Sequence, residues 1–232
     1  MITRTIASAS RAPSETNVKF GDMKTFVVSM AGLLPTKEVL ESFSALPNDK
    51  FLQGQFVFRK RAYARGVLSP HGIEWDSSTD FCQPRRINDY AGGIKRVFAP
   101  AGVAIRKYIQ ELLQSAFYRS GLGDERYHFG LHQIRIVCED LHEGYPVPEG
   151  YHQDGFDFVC IHNFRRANIK GGGSYLRDGS KDGPCIFEHD LAKGEMLLFN
   201  DRRLFHYATP ITNVESGIGY RDICVLTFSQ MR

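Results

Sequence analysis

The stretch FDFVCIHNF, residues 156–164, follows directly on the single His-x-Asp of the chain, and its reading decides the fold. It is a short, mostly apolar run bounded by a glycine on one side and a polar RRAN run on the other. That is the mark of a buried strand rather than an amphipathic helix. The same pattern recurs in LHQIRIVCE (131–139), CIFEHDL (185–191), GEMLLFND (194–201), HYATPI (206–211) and YRDICVLTFS (220–229), separated by Gly, Pro, Asn and Asp clusters. Several short strands at close spacing predict a sandwich or jelly roll.

Upstream the period changes. FGDMKTFVVSM opens as a strand region. PTKEVLESFSAL places Val39, Leu40, Phe43 and Leu46 at helical spacing between Pro35 and Pro47. Residues 54–69 alternate, with Phe56 and Phe58 on one face and Arg59, Arg61, Tyr63 and Arg65 on the other. The run 81–100 has no period and is expected to be irregular. AGVAIRKYIQELLQSAFYRSGLG is the clearest helix, with Ile105, Ile109, Leu112, Leu113, Ala116 and Phe117 on one face. Helices first and strands afterwards give an α+β class, a double-stranded β-helix (jelly roll, cupin-like) core with flanking helices. Residues 1–20 are expected to be a flexible polar tail and 21–232 a single domain.

The 232 residues are 42% hydrophobic with a net charge of +3. No Lys/Arg block marks a nucleic-acid footprint. No apolar run reaches the ~20 residues of a membrane span, and the N-terminus lacks a secretory apolar core. The five cysteines form no CxxC pair and read as small buried hydrophobes in a reducing cytoplasm.

His152 and Asp154 stand two apart, so on a strand their side chains share a face. His206, after GEMLLFN, is the candidate third ligand. Two histidines and one carboxylate on one face of an octahedron form the facial triad of non-haem Fe(II) oxygenases; zinc would prefer a closed tetrahedral set. Arg221 enters an apolar strand, where a guanidinium is costly unless it meets an anion. It suits the far carboxylate of 2-oxoglutarate, the alternative being a salt bridge with Asp222 or Glu195. Gln133 and Arg135 share one strand face and are expected to line the pocket, with His132 making a structural hydrogen bond. His162 reads as a polar strand residue, and Gly171–Gly173 as a tight turn rather than a phosphate loop.

RKRAYAR (59–65), GGIKRVF (92–98), LHQIR (131–135), YHQDG (151–155), NIKGGGSYL (168–176), FHYATP (205–210) and YRDICVLTFS (220–229) occur in this order. With these seven blocks the chain resembles the bacterial 2-oxoglutarate/Fe(II) dioxygenases that hydroxylate free L-amino acids, from about residue 51 onward. The resemblance implies His152, Asp154 and His206 as iron ligands and Arg221 as the 2-oxoglutarate anchor. It also favours Arg59 and Tyr63 as contacts to the substrate carboxylate. It further implies Fe(II), 2-oxoglutarate and O2 as cofactor and cosubstrates, and a small amino acid as the partner. Desaturation, cyclisation or sulfoxidation at the same site, and a jelly-roll binding protein without turnover, are the alternatives. A homo-oligomer is possible.

Overall fold

Met196, Leu197, Leu198 and Phe199 are consecutive and all buried. An unbroken apolar run of this kind is what a strand needs when both faces are covered. Met196 and Leu198 join one core with Leu131, Cys160, Leu226 and Phe228, whereas Leu197 and Phe199 join another with Ile134, Val159, Ile161 and Ile223. Each buried Leu contributes about 1.5–3 kcal/mol of transfer free energy. The central sheet therefore lies between two cores.

The computed structural model describes residues 23, 25–52, 57–83, 93–115, 121–140 and 142–232. The expected 1–20 tail, Phe56, residues 84–92 of the irregular run, and Ala116 and Phe117 lie outside the described residues. The central strands are β1 (Phe26–Met30), β2 (Arg59–Ser69), β3 (Gly72–Trp75), β7 (Tyr127–Glu139), β8 (Phe158–Ala167), β12 (Glu195–Asn200) and β15 (Ile218–Gln230). They form one sheet in the order β1-β12-β8-β15-β7-β2-β3, with β6 (Ala99–Pro100) added parallel to β2. Short sheets face it: β11 (Cys185–His189), β10 (Ser174–Asp178) and β13 (Leu204–Ala208) in one, and β14 (Ile211–Asn213) with β9 (Ile169–Gly171) in another. β4 (Asp80–Phe81) pairs with β5 (Arg96–Val97).

Helices α1 (Lys37–Ser42) and α2 (Val103–Leu113) cover the other face. Thr36 caps α1 by accepting from the Val39 amide at 3.4 Å. The predicted face of α2 is buried at Ile105, Ile109, Leu112 and Leu113. The chain is thus mostly β-sheet, with long strands on both sides of α2 in sequence instead of helices first. Helix α1 is shorter than the Pro35–Pro47 window, although Phe43 and Leu46 beyond it are still buried. Cys138, Cys160 and Cys224 are buried as expected, but Cys82 and Cys185 are exposed. Among the described residues no helix is long and apolar enough to cross a membrane.

Candidate metal centre and pocket

Cross-strand register decides which side chains meet. In β15 the odd positions Arg221, Ile223 and Val225 face the small sheets, and in β7 the even positions His132, Ile134 and Ile136 do so. The pairings Arg221↔Ile136↔Arg59 and Ile223↔Ile134↔Arg61 continue that face across β2. The opposite wall holds His206 on β13 and the 152–156 loop before β8.

One backbone bridge aligns the histidines. The His152 amide donates to the His206 carbonyl at 3.1 Å and the His206 amide to the His152 carbonyl at 2.8 Å. Their rings lie with centroids 4.1 Å apart. Asp154 is not on a regular strand, contrary to the sequence expectation; it sits in a loop whose backbone is held by Asp201. That carboxylate, fully buried, accepts from the amides of Asp154 (3.1 Å), Gly155 (2.7 Å) and Phe156 (3.0 Å). One ligand atom from each of His152, Asp154 and His206 lies within 4.8 Å of the others.

The donor set fits a metal ion. Asp154 Oδ1 is 3.6 Å from His152 Nε2, and Oδ2 is 3.4 Å from His206 Nε2. Yet His206 Nε2 is buried and makes no hydrogen bond, an orphaned nitrogen that costs free energy unless an ion takes its lone pair. His152 Nδ1 lies 3.0 Å from the Gly150 carbonyl, which fixes the tautomer that turns Nε2 inward. Burial opposes a charge on Asp154 most strongly, but the two imidazoles hold its carboxyl well below the usual range. Burial likewise opposes protonation of His152, but the Asp154 and Glu149 carboxylates push it up to about 9. Asp201 is pushed up to about 6 by burial and by the negative charge of Asp154.

Arg221 is 1% exposed and lines the same pocket. Its Nε donates to Asn163 Oδ1 at 3.2 Å and its Nη2 to Ser174 Oγ at 3.4 Å. Neither expected salt-bridge partner reaches it. Asp222 points to the helix face, bound by Arg135 and Arg165, and Glu195 is bound by His189. Burial, then the charge of Arg166, lowers Arg221 to about 9, so it stays cationic at neutral pH. Gly172 lies against it: an added Cβ, at φ +72°, would meet Arg221 Cδ at 3.4 Å and Ile211 Cγ2 at 2.9 Å. The Gly-rich segment is a tight turn that must approach closely.

Two expected pocket residues face the other way. Gln133 donates to Ser42 Oγ at 2.7 Å, and Arg135 binds Asp222 through Nε (2.6 Å) and Nη2 (2.8 Å) and Ser44 Oγ through Nη1. Strand parity sends odd positions of β7 to the helices, and it is His132 and Ile134 that line the pocket. Tyr63 packs behind the wall, stacked on His132 at 4.6 Å and edge-on to Phe81. Arg59 lines the pocket but is neutralised by buried Asp49 at 2.9 Å. His132 Nδ1 takes its structural hydrogen bond from Arg61 at 2.5 Å. His162 sits on the helix face, 3.0 Å from the Tyr108 hydroxyl, as a buried polar strand residue; burial lowers it to about 4.

Sequence reasoning missed Asp201, Gln83 and Arg96. Gln83 Nε2 donates to the Asp154 carbonyl (3.0 Å) and Oδ1 (3.3 Å), and Arg96 Nη2 donates to Gln83 Oε1 at 2.8 Å. Arg96 lies within GGIKRVF and Asp201 within NDRRLFHYATPI, but nothing in either motif says which polar residue turns inward.

Comparison with known proteins agrees with this geometry. The model of the 2OG-Fe dioxygenase family matches residues 40–227, and the chain belongs to that family. It is 26% identical over 180 residues to the L-isoleucine-4-hydroxylase of Bacillus thuringiensis, covering 74% of this chain and 75% of that one. Among solved structures, a bsmA homolog from Methylobium petroleophilum PM1 has a TM-score of 0.70 at 23% identity, with 88% of each chain covered. IDO from Bacillus thuringiensis has a TM-score of 0.63 at 19% identity, covering 90% of this chain and 91% of that one. The protein is therefore a non-haem iron enzyme that uses Fe(II), 2-oxoglutarate and O2.

Proposed function

We propose that this enzyme hydroxylates an aliphatic C–H bond of a free L-amino acid, with His152, Asp154 and His206 as iron ligands and Arg221 as the anchor for the far carboxylate of 2-oxoglutarate. The reaction consumes the amino acid, 2-oxoglutarate and O2, and yields the hydroxy amino acid, succinate and CO2. The observation that carries this reading is a fully buried Arg221, in no ion pair among the described residues, in the same pocket as the triad. The isoleucine hydroxylase relative supports the substrate class. The sheet that faces the smaller sheets is taken as a double-stranded β-helix.

Bound Fe(II) supplies oxygen activation coupled to decarboxylation of the oxo acid. The chain's own residues do the rest. His152, Asp154 and His206 would hold the Fe(II) through three donors and leave its remaining positions to the cosubstrate and oxygen. Arg221 fixes the oxo acid in one orientation by a bidentate fork. Ile134, Ile136, Ile161, Ile223 and Val225 line the pocket and exclude water. Asp201 keeps the Asp154 loop rigid, so the carboxylate does not need to reorganise on loading.

The test is anaerobic reconstitution with Fe(II) and 2-oxoglutarate, then an oxygen pulse with pooled L-amino acids. Succinate together with an amino acid heavier by one oxygen is the expected result. Succinate with a product lighter by two hydrogens points to desaturation or ring formation. Succinate at the uncoupled background level with every amino acid would overturn the proposal.

A further inference from the structure

The pocket has a second cationic pole besides Arg221. Arg61, from β2, and Arg96, from β5, are 8% and 4% exposed and both line the pocket. They share two aromatic rings. Arg61 Cζ lies 4.3 Å from the Phe98 centroid and 5.4 Å from Phe81; Arg96 Cζ lies 4.9 Å from Phe81 and 5.9 Å from Phe98. Ring faces hold two guanidinia side by side without supplying a countercharge. Their hydrogen-bond partners are also neutral, His132 for Arg61 and Gln83 for Arg96. Both Nε atoms are buried without a partner. No ion pair among the described residues includes either arginine.

Two buried like charges whose hydrogen-bond partners are neutral are costly unless an anion joins them. Among the described residues, the acids whose charge reaches these arginines face other partners: Asp49 pairs with Arg59, Asp154 lies between the two histidines, and Glu149 lies 3.9 Å from His152. We infer that Arg61 and Arg96 form one anion clamp that takes the α-carboxylate of the amino-acid substrate, an inference that rests on the function proposed above.

Position separates this clamp from the 2-oxoglutarate anchor. Arg221 stands on β15 and Arg61 on β2, with β7 between them, so their strands are roughly 10 Å apart. Ile134, Ile136 and Ile223 fill the floor between the two poles. Two anions can therefore be held at once, one at each end of an apolar floor beneath the triad. Gln83 ties the clamp to the metal side, since it accepts from Arg96 and donates to Asp154. A carboxylate on Arg96 is thus one amide away from a metal ligand. The substrate's aliphatic carbons would then lie on the pocket side of His152, Asp154 and His206.

The test reads the guanidinium Nε–H resonances by NMR of the full chain, 15N-labelled at arginine, loaded with 2-oxoglutarate and with Zn(II) to prevent turnover. Arg61→Lys and Arg96→Lys each delete one resonance and so assign it. Each proteinogenic L-amino acid and its carboxamide is added in turn. The expected result is that at least one amino acid shifts both resonances and its amide shifts neither. 2-Oxoglutarate alone is expected to move the Arg221 resonance and leave these two in place. Each Lys variant is expected to weaken amino-acid binding by about tenfold or more while 2-oxoglutarate affinity stays within about twofold. No shift with any amino acid, equal shifts with the amides, or a shift driven by 2-oxoglutarate instead overturns the clamp. If either variant fails to fold, through-bond assignment of that Nε–H in the wild type replaces it, and the wild-type titrations decide. An amino acid that shifts both resonances but is not oxidised by the Fe(II) enzyme leaves the clamp standing and removes the hydroxylase reading. One that is oxidised without moving either does the reverse.

Discussion

Replacing Arg135 by Met separates a structural guanidinium from a substrate-binding one. Asp222 is 0% exposed and is bound by Arg135 through two bonds, of 2.6 and 2.8 Å. Removing one partner of a buried ion pair costs about 3–5 kcal/mol. Arg165 stays on Asp222 at 3.1 Å, and its side chain is 32% exposed, so the lower end applies. The Arg135 guanidinium also lies 4.1 Å from the Tyr220 ring, a contact of about 0.5–1 kcal/mol. The expected loss is about 3–4 kcal/mol, a large part of the ~5–15 kcal/mol of an ordinary domain. At roughly 2–4 °C per kcal/mol for this chain length, Tm falls by about 6–16 °C. Urea unfolding at unchanged m should report the loss, while the KM values for 2-oxoglutarate and amino acid stay near wild type. An unchanged midpoint together with a selective rise in substrate KM would refute the helix-facing placement of Arg135.

Other expectations are local to the pocket. Arg221→Met should bind metal as wild type but need at least about tenfold more 2-oxoglutarate for half-maximal succinate formation, because a charge-assisted fork is lost; an unchanged requirement removes Arg221 from that role. Asp201→Asn removes the charge that accepts three backbone amides, so Zn(II) affinity should drop by about tenfold and, in a separate assay, activity should recover at excess Fe(II); wild-type affinity would mean that the loop holds itself. In the metal-free protein His152 sits above its ordinary 6.5, at about 9. Its stabilising proton is therefore fully present below about pH 6.5 and lost as pH rises through about 9. A metal must displace that proton, so competition titrations should show Zn(II) affinity climbing about tenfold per pH unit from 7 to 9 and levelling above. A flat profile would contradict the assigned protonation.

Much of the site was legible because its residues come in short, chemically specific spacings. His152 and Asp154 are neighbours in sequence, His206 follows a recognisable strand, and an arginine in an apolar run announces an unusual environment. Strand parity was harder to read. Gln133 and Arg135 share a face, as expected, but which face meets the pocket depends on how β7 registers with β15 and β2. The polar residues of both faces look alike in sequence. Arg59 and Arg61 share a strand face, but only Arg59 is ion-paired with Asp49, a contact made by a segment outside the strand. Asp201 and Gln83 act through backbone amides and a carbonyl, which leave no trace in side-chain pattern. Helix α1 was overestimated because Phe43 and Leu46 keep helical spacing in a segment that is buried without being helical.

The central claim is that His152, Asp154 and His206 hold Fe(II) with room for 2-oxoglutarate to chelate it. Anaerobic titration of the Fe(II)-loaded protein with 2-oxoglutarate, followed by its visible metal-to-ligand charge-transfer absorption, tests this most directly. Saturation near one equivalent per chain in the wild type, and no band in Asp154→Ala, is the predicted result. No band in the wild type, or a full band in Asp154→Ala, would contradict it.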